Sequence, residues 1–312
     1  MIAPAIQLEQ LSKRYGRVTA LQNLSLEVAT GEVFGFLGLN GAGKTTTIRI
    51  LLDLVRPTAG RAAIFGIDCQ ARGLEVRATL GYLPGEPGFY GDSTGETTID
   101  LLAALSGGAV DRRRRAELLD RLEFSTADLR RPLREYSTGM KRKLGIVQAF
   151  QADSPLLVLD EPTEGLDPLM QDAFYGLLSD ARSRGRTIFM SSHVLPEVER
   201  VCDRIGLVRG GELVLVSTVH EIRRLAGRRV RASFAEPVAA PVSWPSGCEV
   251  IDVSPRHWDL RVHGALGVIV TMLASLPIAD LEVQMPHLEE ILKTYYADDS
   301  RHGAANHAGS SS

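Results

Sequence analysis

Hydrophobic and polar residues alternate along the first part of the chain and then give way to a short apolar run. The alternation rests on Ile6, Leu8, Leu11, Leu24, Leu26 and Val28. A period of two is typical of half-buried strands. The following run, Val33–Leu37, is almost continuously apolar, as expected for a strand buried on both faces. This part of the sequence therefore predicts strands, the last of them in a core.

Two later apolar runs end in polar residues that can carry chemistry. Residues 156–159 are apolar and lead directly into Asp160 and Glu161, and the run at 187–192 leads into His193. In a parallel sheet, ligands bind at the carboxyl ends of the strands. The three polar side chains are therefore candidates for a shared site.

A charged segment between these runs predicts helices. Residues 80–94 are rich in Gly and Pro and predict mostly loop, whereas residues 97–145 predict helices. We assign a helical subdomain to about residues 86–150. Four arginines at 112–115 begin one helix, and acidic residues follow them at helical spacing. This spacing favours a solvated face over a nucleic-acid patch.

The character of the sequence changes after residue 217. Residues 205–217 predict a hairpin that turns at Gly210 and Gly211. A helix at 219–227, three strand-like pieces, a second helix, a strand and a last helix follow, so residues 218–297 predict a small accessory α+β domain. The polar segment 298–312 has low complexity and predicts a disordered tail. Residues 1–217 then form the main domain.

Composition excludes several classes of protein. The chain has 312 residues, a net charge of -3 and a pI near 6.2, which does not indicate a nucleic-acid partner. Its three cysteines are far apart and form no C-x-x-C pair, which argues against disulfides and zinc and fits a reducing cytosol. The longest uncharged apolar stretch, 264–279, is shorter than the roughly 20 residues of a membrane span. It contains Pro277, and we interpret it as a buried helix followed by a strand.

The most informative segment is GLNGAGKTT at residues 38–46. It matches the phosphate-binding pattern G-x-x-x-x-G-K-[ST] between a predicted strand and a predicted helix. Glycines let successive N–H groups point at one anion, the lysine adds a positive charge, and a threonine hydroxyl can bind magnesium. The candidate nucleotide-binding residues here are Gly38, Asn40, Gly41, Gly43, Lys44, Thr45 and Thr46.

Other residues complete the chemistry of a nucleoside triphosphatase. Asp160 can hold magnesium together with Thr45, and Glu161 beside it is the expected base for the attacking water. His193 is placed to touch the terminal phosphate, although a lone histidine is more often structural. Tyr15 is a candidate for stacking on adenine; taken alone it would be an ordinary surface or core tyrosine.

The segment YSTGMKRKLGI at 136–146 identifies the kind of triphosphatase. With it, residues 6–217 resemble the ATP-binding subunit of an ABC transporter. The family's ordered motifs are present: the A-loop at Tyr15, the P-loop, a Q-loop region at 82–86, the signature at 136–140, Asp160 and Glu161 after their strand, the D-loop with Asp167 at 165–168, and the switch residue His193. The signature spelling and the C-terminal extension resemble the branch that serves ABC-2 permeases, many of which export drugs.

The resemblance implies a fold and a mechanism. The implied fold is an α/β P-loop NTPase of the ABC type, with a mixed sheet core, an antiparallel β subdomain and a helical subdomain. ATP and Mg²⁺ are the implied cofactors. In this family two subunits sandwich ATP, so Ser137 and Gly139 would bind the γ-phosphate held by a second copy. An integral membrane permease on a separate chain is the implied partner, which places the subunit at the cytoplasmic face of the cell membrane.

The sequence departs from the family pattern in the Q-loop. Gly85 stands where the family usually has glutamine, and we expect Glu86 or a water to take over its role. A second departure is only apparent: LSGG at 105–108 has the family's usual signature spelling, but it ends a predicted helix far from Asp160. Gly107 and Gly108 are expected to cap that helix.

Three alternatives remain at this level. One is a soluble ABC ATPase that acts on ribosomes or in regulation; the ribosomal kind usually carries two P-loops, and this chain has one. A DNA-repair ABC ATPase would contain a long coiled coil. An unrelated P-loop GTPase or kinase would not carry the signature stretch, and the N-K-x-D that reads guanine in GTPases does not occur in the sequence. An exporter ATPase is therefore the favoured function.

Overall fold

A computed structural model describes residues 3–105, 111–221, 227–264 and 266–284. The chain divides into two compact units, Met1–Ser217 and Thr218–Ser312. Within the described residues, no helix is both long enough and apolar enough to cross a membrane. The expected cap at Gly107 and Gly108, the last helix and the tail at 298–312 lie outside these residues.

The first unit contains two sheets. Its strands are β1 (Ile6–Tyr15), β2 (Val18–Val28), β3 (Val33–Leu37), β4 (Ala59–Ile64), β5 (Ile67–Asp68), β6 (Leu80–Leu83), β7 (Leu156–Asp160), β8 (Thr187–Ser192), β9 (Arg204–Arg209) and β10 (Glu212–Thr218). One sheet has the order β10-β9-β3-β8-β7-β6, and the pairs from β9 to β6 are parallel. The other, β2-β1-β4-β5, is antiparallel.

Helices surround the parallel sheet. They are α1 (Lys44–Leu51), α2 (Gly73–Ala78), α3 (Gly95–Leu105), α4 (Arg112–Arg121), α5 (Thr126–Leu129), α6 (Thr138–Gln151), α7 (Pro168–Ser183) and α8 (Leu195–Val201). The central strands β3, β7 and β8 are buried along their whole length because neighbours cover both faces. In this core the ring of Phe189 stacks on that of Phe34 and lies tilted against that of Phe36. This arrangement is the mixed-sheet P-loop fold that the sequence predicts.

Two details of the first unit differ from expectation. The segment at 80–94, predicted as mostly loop, begins with strand β6. Pairing with β7 satisfies the backbone polar groups of this strand. The four arginines at 112–115 are not one solvated face. Arg114 bonds the carbonyl of Phe150, and Arg115 pairs with Asp100. Half of the run therefore docks α4 onto its neighbouring helices.

The second unit is a four-stranded antiparallel sheet with one described helix. The sheet order is β12-β13-β11-β14. Its core centres on Phe234, Trp244 and Trp258, whose rings meet edge to face. The helix that the sequence predicts as buried is buried on one side only. On its other side Val268 is 62% exposed. The elements are β11 (Arg228–Phe234), β12 (Cys248–Ser254), β13 (His257–Val262), α9 (Gly267–Ala274) and β14 (Ile278–Gln284).

Candidate functional site: a P-loop cavity

The phosphate-binding loop joins β3 to α1 and is held tightly from behind. Gly43, just before α1, has φ +107°, and a Cβ there would lie 2.7 Å from the carbonyl oxygen of Ala20. A Cβ on Gly38 would lie 2.4 Å from the carbonyl oxygen of Val208. Only glycine fits at either position, because a larger residue would push the loop away from the strands behind it.

A cavity of about 330 Å³ opens over this loop. Six of the nucleotide-binding residues predicted from sequence line it, together with Glu161. Ala20 of β2 also lines it, and the sequence pattern gave no signal for that residue. The full lining is Ala20, Asn40, Gly41, Gly43, Lys44, Thr45, Thr46 and Glu161.

Lys44 is the buried cation of the cavity. It is only 5% exposed, and its Nζ donates to the carbonyl oxygens of Gly38 at 2.5 Å and Leu39 at 3.2 Å. The same Nζ lies 3.1 Å from Oε1 of Glu161. A buried ammonium needs such partners because isolated charges are costly to remove from water. The loop thus places a compact positive charge directly beside a carboxylate.

Glu161 is held between Lys44 and His193. Its Oε2 lies 2.7 Å from Nδ1 of His193 and 3.3 Å from the backbone nitrogen of the same residue. The backbone of Glu161 has φ +47°, a left-handed conformation that is uncommon for a residue with a Cβ. The two residues meet because β7 and β8 are adjacent parallel strands that end together. The sequence predicted both side chains, and the structure brings them into contact.

Asp160, the last residue of β7, is buried and oriented by Ser191. The Ser191 hydroxyl donates to Oδ1 of Asp160 and accepts from the backbone N–H of Glu161 at 3.0 Å. Burial, with the Asp160 carboxylate second, raises the pKa of nearby Tyr82 to about 12, so that phenol stays neutral. Sequence reasoning missed Ser191; the signal was a hydroxyl pair at the end of an otherwise apolar strand.

The Q-loop position lies against the other oxygen of Asp160. A Cβ on Gly85 would stand 3.5 Å from Oδ2, an ordinary van der Waals distance. Glu86, the next residue, is exposed. Position 85, rather than 86, therefore faces the carboxylate.

The signature residues lie at the start of α6. Ser137 is the N-cap of that helix, and its hydroxyl accepts from the N–H of Met140 at 3.2 Å. A Cβ on Gly139 would lie 3.5 Å from the carbonyl oxygen of Gly165. Asp167 caps α7 by accepting from the N–H of Met170 at 2.9 Å. None of these residues lines the cavity of their own chain.

Tyr15 ends β1 and is 44% exposed. It does not line the phosphate cavity. The Nζ of Lys13 lies 4.9 Å from its ring centroid, which is a cation–π distance.

Comparisons with known proteins agree with this geometry. A family model described as ABC transporter matches residues 21–164. An uncharacterized ABC transporter ATP-binding protein of Nostoc sp. is 40% identical over a matched segment that covers 66% of this chain and 62% of that protein. The bacitracin transport ATP-binding protein BcrA of Enterococcus faecalis is 37% identical, with 83% of each chain covered. The daunorubicin resistance ATP-binding protein DrrA3 of Streptomyces coeruleorubidus is 31% identical over 96% of this chain and 98% of its own.

Solved structures place the fold in the same family. An ATP-binding subunit of an ABC transporter has a TM-score of 0.65 and 31% identity, covering 71% of this chain and 92% of that chain. The ATP-binding cassette MJ0796, a dimer with ADP and Pi bound, has a TM-score of 0.63 and 23% identity, covering 69% of this chain and 98% of that one. The predicted resemblance and fold class are confirmed, and the non-transport alternative is not favoured. The chain belongs to the ABC transporter family, as an ATP-binding subunit that hydrolyses ATP.

Proposed function

We propose that this subunit hydrolyses ATP in a composite site formed by two copies of the chain and thereby powers export through a separate permease. The observation that carries the proposal is the Glu161 carboxylate, held between Lys44 and His193 at the P-loop cavity. A carboxylate in that position can take a proton from water that attacks the terminal phosphate. Each residue then has a distinct task.

The phosphates occupy the P-loop. Backbone N–H groups at the start of α1, with the positive end of that helix, bind the phosphate oxygens. Lys44 neutralises the outer phosphates, and His193, beside Glu161, contacts the terminal one. Asn40, Gly41, Gly43 and Thr46 form the rest of the cradle. Tyr15 stacks on the adenine with the ring face that Lys13 does not cover.

The oxygen atoms at the cavity and directly behind it fit magnesium. The Thr45 hydroxyl and the Asp160 carboxylate supply oxygen atoms, the ligands this hard cation prefers alongside phosphates and water. Ser191 occupies one oxygen of Asp160 and leaves the other directed toward Gly85. Bound there, Mg²⁺ would neutralise charge on the phosphates. We propose that the small residue at 85 leaves room for a water, with Glu86 at its side.

A second copy completes the site. Ser137 and Gly139 lie at the positive end of α6, and that end can bind a phosphate held by another chain. They do not line their own chain's cavity, and the dimeric cassette of similar fold supports a pair of such chains. Asp167, which fixes the start of α7 behind this region, belongs to the same surface.

Export is supported by the relatives. Their names describe bacitracin transport and daunorubicin resistance. We propose that this subunit likewise drives an antibiotic or similar small molecule through an integral membrane permease, bound at the cytoplasmic face. The transported molecule would be selected by the permease, since the cavity described here recognises only nucleotide.

Replacing Glu161 with Gln tests the proposal. ATP turnover should fall by about 10²-fold or more, because the base is lost while ATP binding persists. In saturating Mg-ATP the variant should run as a dimer by light scattering, and adding Ser137→Ala should return it to a monomer. Glu117→Gln, at an exposed position on α4 where the side chain pairs with Arg113, is the matched control and should keep normal turnover. Unchanged turnover in Glu161→Gln, or a persistent monomer, would refute the composite site.

The Q-loop proposal has its own comparison. Glu86→Ala should lower Mg-dependent turnover if Glu86 assists at the metal. Normal turnover and transport in Glu86→Ala would eliminate the assisting role and leave a water as the sole substitute.

A further inference from the structure

A buried arginine on the signature helix bonds three carbonyls on two loops beside the P-loop cavity. Arg142 lies one turn into α6 and is 2% exposed. Its NH1 donates to the carbonyl oxygen of Pro84 at 2.7 Å, and its NH2 to that of Glu161 at 2.7 Å. Its Nε donates to the carbonyl oxygen of Glu164 at 3.0 Å. One side chain therefore joins the loop before Gly85, the Glu161 backbone and the turn before Asp167.

Burying the Arg142 guanidinium away from water costs free energy that a neutral side chain in the same place would not cost. All three partners are neutral carbonyls, so the buried guanidinium has no carboxylate bonded to it in the described structure. Burial lowers the pKa of Arg142, and the acidic side chains of Glu164, Asp160 and Glu161 oppose that shift. The planar fork of an arginine suits this task because its donors point at separate acceptors in fixed directions.

The contact with Glu161 bears directly on its side chain. The left-handed backbone of Glu161 persists only where its surroundings hold it. On one side the N–H is bonded to the Ser191 hydroxyl and carbonyl. On the other side, the carbonyl accepts from Arg142 and from the N–H of Glu164. Without Arg142 the peptide after Glu161 loses its strongest anchor, and the carboxylate loses its direction toward Lys44 and His193.

We propose that Arg142 is a positioning residue for ATP hydrolysis, which fixes the Glu161 carboxylate and ties its position to that of the signature helix and of the Pro84–Gly85 loop. The proposal rests on the function of Glu161 given above. It makes hydrolysis depend on two remote events. Movement of α6 when a second copy engages, or of the loop at 84–85 when a partner touches it, reaches Glu161 through one side chain.

The test compares Arg142→Lys and Arg142→Gln with wild type in the full-length chain. Turnover at saturating Mg-ATP should fall about tenfold or more in both variants, while the dissociation constant for ATP stays within about twofold. Lysine keeps the charge but cannot reach three carbonyls in fixed directions, so it should not rescue turnover. Slowed hydrolysis should also make the Gln variant accumulate as an ATP-bound dimer, as Glu161→Gln does.

Arg114→Lys is the matched control for loss of a packed arginine. Arg114, on α4, is 17% exposed and bonds the carbonyl of Phe150. Phe150 lies near the C-terminal end of α6, the helix that carries Arg142. It should alter melting temperature without changing turnover per folded molecule. If Arg142 acts through Glu161, the double variant Arg142→Gln with Glu161→Gln should be no slower than Glu161→Gln alone.

The outcomes separate the two proposals. If Glu161→Gln abolishes turnover and Arg142→Gln keeps it at the wild-type rate, the positioning role is wrong and the function of Glu161 stands. If Glu161→Gln retains turnover, the proposed function itself fails. Equal losses of ATP affinity and turnover in Arg142→Lys, or an additive double variant, would show a role independent of Glu161.

Discussion

At the scale of single residues, the catalytic region depends on side chains that orient other side chains. The Ser191 hydroxyl donates a hydrogen bond to the Asp160 carboxylate and accepts one from the backbone N–H of Glu161. It therefore fixes both carboxylates that follow β7 from the neighbouring strand. Its burial means that no water can replace the hydroxyl without a local rearrangement.

Ser191→Ala should lower ATP turnover about tenfold, since losing a hydrogen bond to a charged group costs about 1.5–3 kcal/mol. Ser192→Ala is the neighbouring control. Its hydroxyl donates to Glu197 on α8, so it should change stability and leave turnover near wild type. Steady-state ATPase assays and thermal melts measure the two effects. Equal turnover in both variants would contradict an orienting role for Ser191.

At the scale of elements, the β9–β10 hairpin supports the P-loop. Gly211 donates its N–H to the carbonyl of Ala42 and accepts from the N–H of Gln22. A Cβ at Gly211 would lie 2.7 Å from the carbonyl oxygen of Ala20, whereas one at Gly210 meets nothing within 4 Å. The sequence predicted this turn but not what it supports.

Gly211→Ala should weaken ATP binding at least several-fold, because the added methyl displaces β2 and the loop. Gly210→Ala controls for backbone strain. Both residues have positive φ, so an alanine at either position costs about 1–2 kcal/mol for the left-handed conformation. Only Gly211→Ala adds the clash. Nucleotide titrations should therefore give different ATP affinities for the two variants. Equal ATP affinities would show that the hairpin does not support the P-loop.

The sheet of the second unit has a buried carboxylate at its centre. Asp259 on β13 bonds the Arg229 guanidinium of β11 at 2.6 Å, and Arg231 lies beside it. Hydrogen bonding to Arg229 holds the pKa of Asp259 below its ordinary value. Its lowered pKa stabilises the folded unit above about pH 4, and this contribution is lost as pH falls through the folded value.

Asp259→Asn should therefore destabilise the second unit by about 1–3 kcal/mol near neutral pH. The difference from wild type should begin to shrink below about pH 4, where the carboxylate of the unfolded chain takes up a proton, and should vanish only below the lower pKa of the folded carboxylate. Both tryptophans, Trp244 and Trp258, belong to this unit, so urea unfolding followed by tryptophan fluorescence reports on it alone. If the difference in unfolding free energy between Asp259→Asn and wild type stays constant with pH, the ionised pair is not its cause.

At the scale of the whole molecule, every residue that lines the P-loop cavity belongs to the first unit. A chain that ends at Ser217 should therefore bind ATP within about threefold of the full-length affinity. Fluorescent-nucleotide titration measures this directly. A large loss of affinity in a folded shortened chain would show that the second unit contributes to the nucleotide site.

Local sequence predicted much of the site because its parts are contiguous. The P-loop glycines and Lys44 lie within seven residues, and their spacing alone encodes a phosphate cradle. The carboxylates after β7 and His193 after β8 were predictable because apolar runs mark buried strands and ligands gather at strand ends. Ser191 and Arg142 were not predicted, because their partners lie on other strands and loops that only the fold brings close to them.

The order of strands, loop and helix, the nucleotide chemistry and the family all follow from residues that are close together along the chain. The contacts of the site follow from the fold: Glu161 with Lys44 and His193, Gly85 with Asp160, and Arg142 with three separate carbonyls. These partners stand far apart along the chain, and sheet pairing and helix packing alone bring them together. Periodicity reports which face of an element is buried, but contact between distant residues follows from packing in three dimensions.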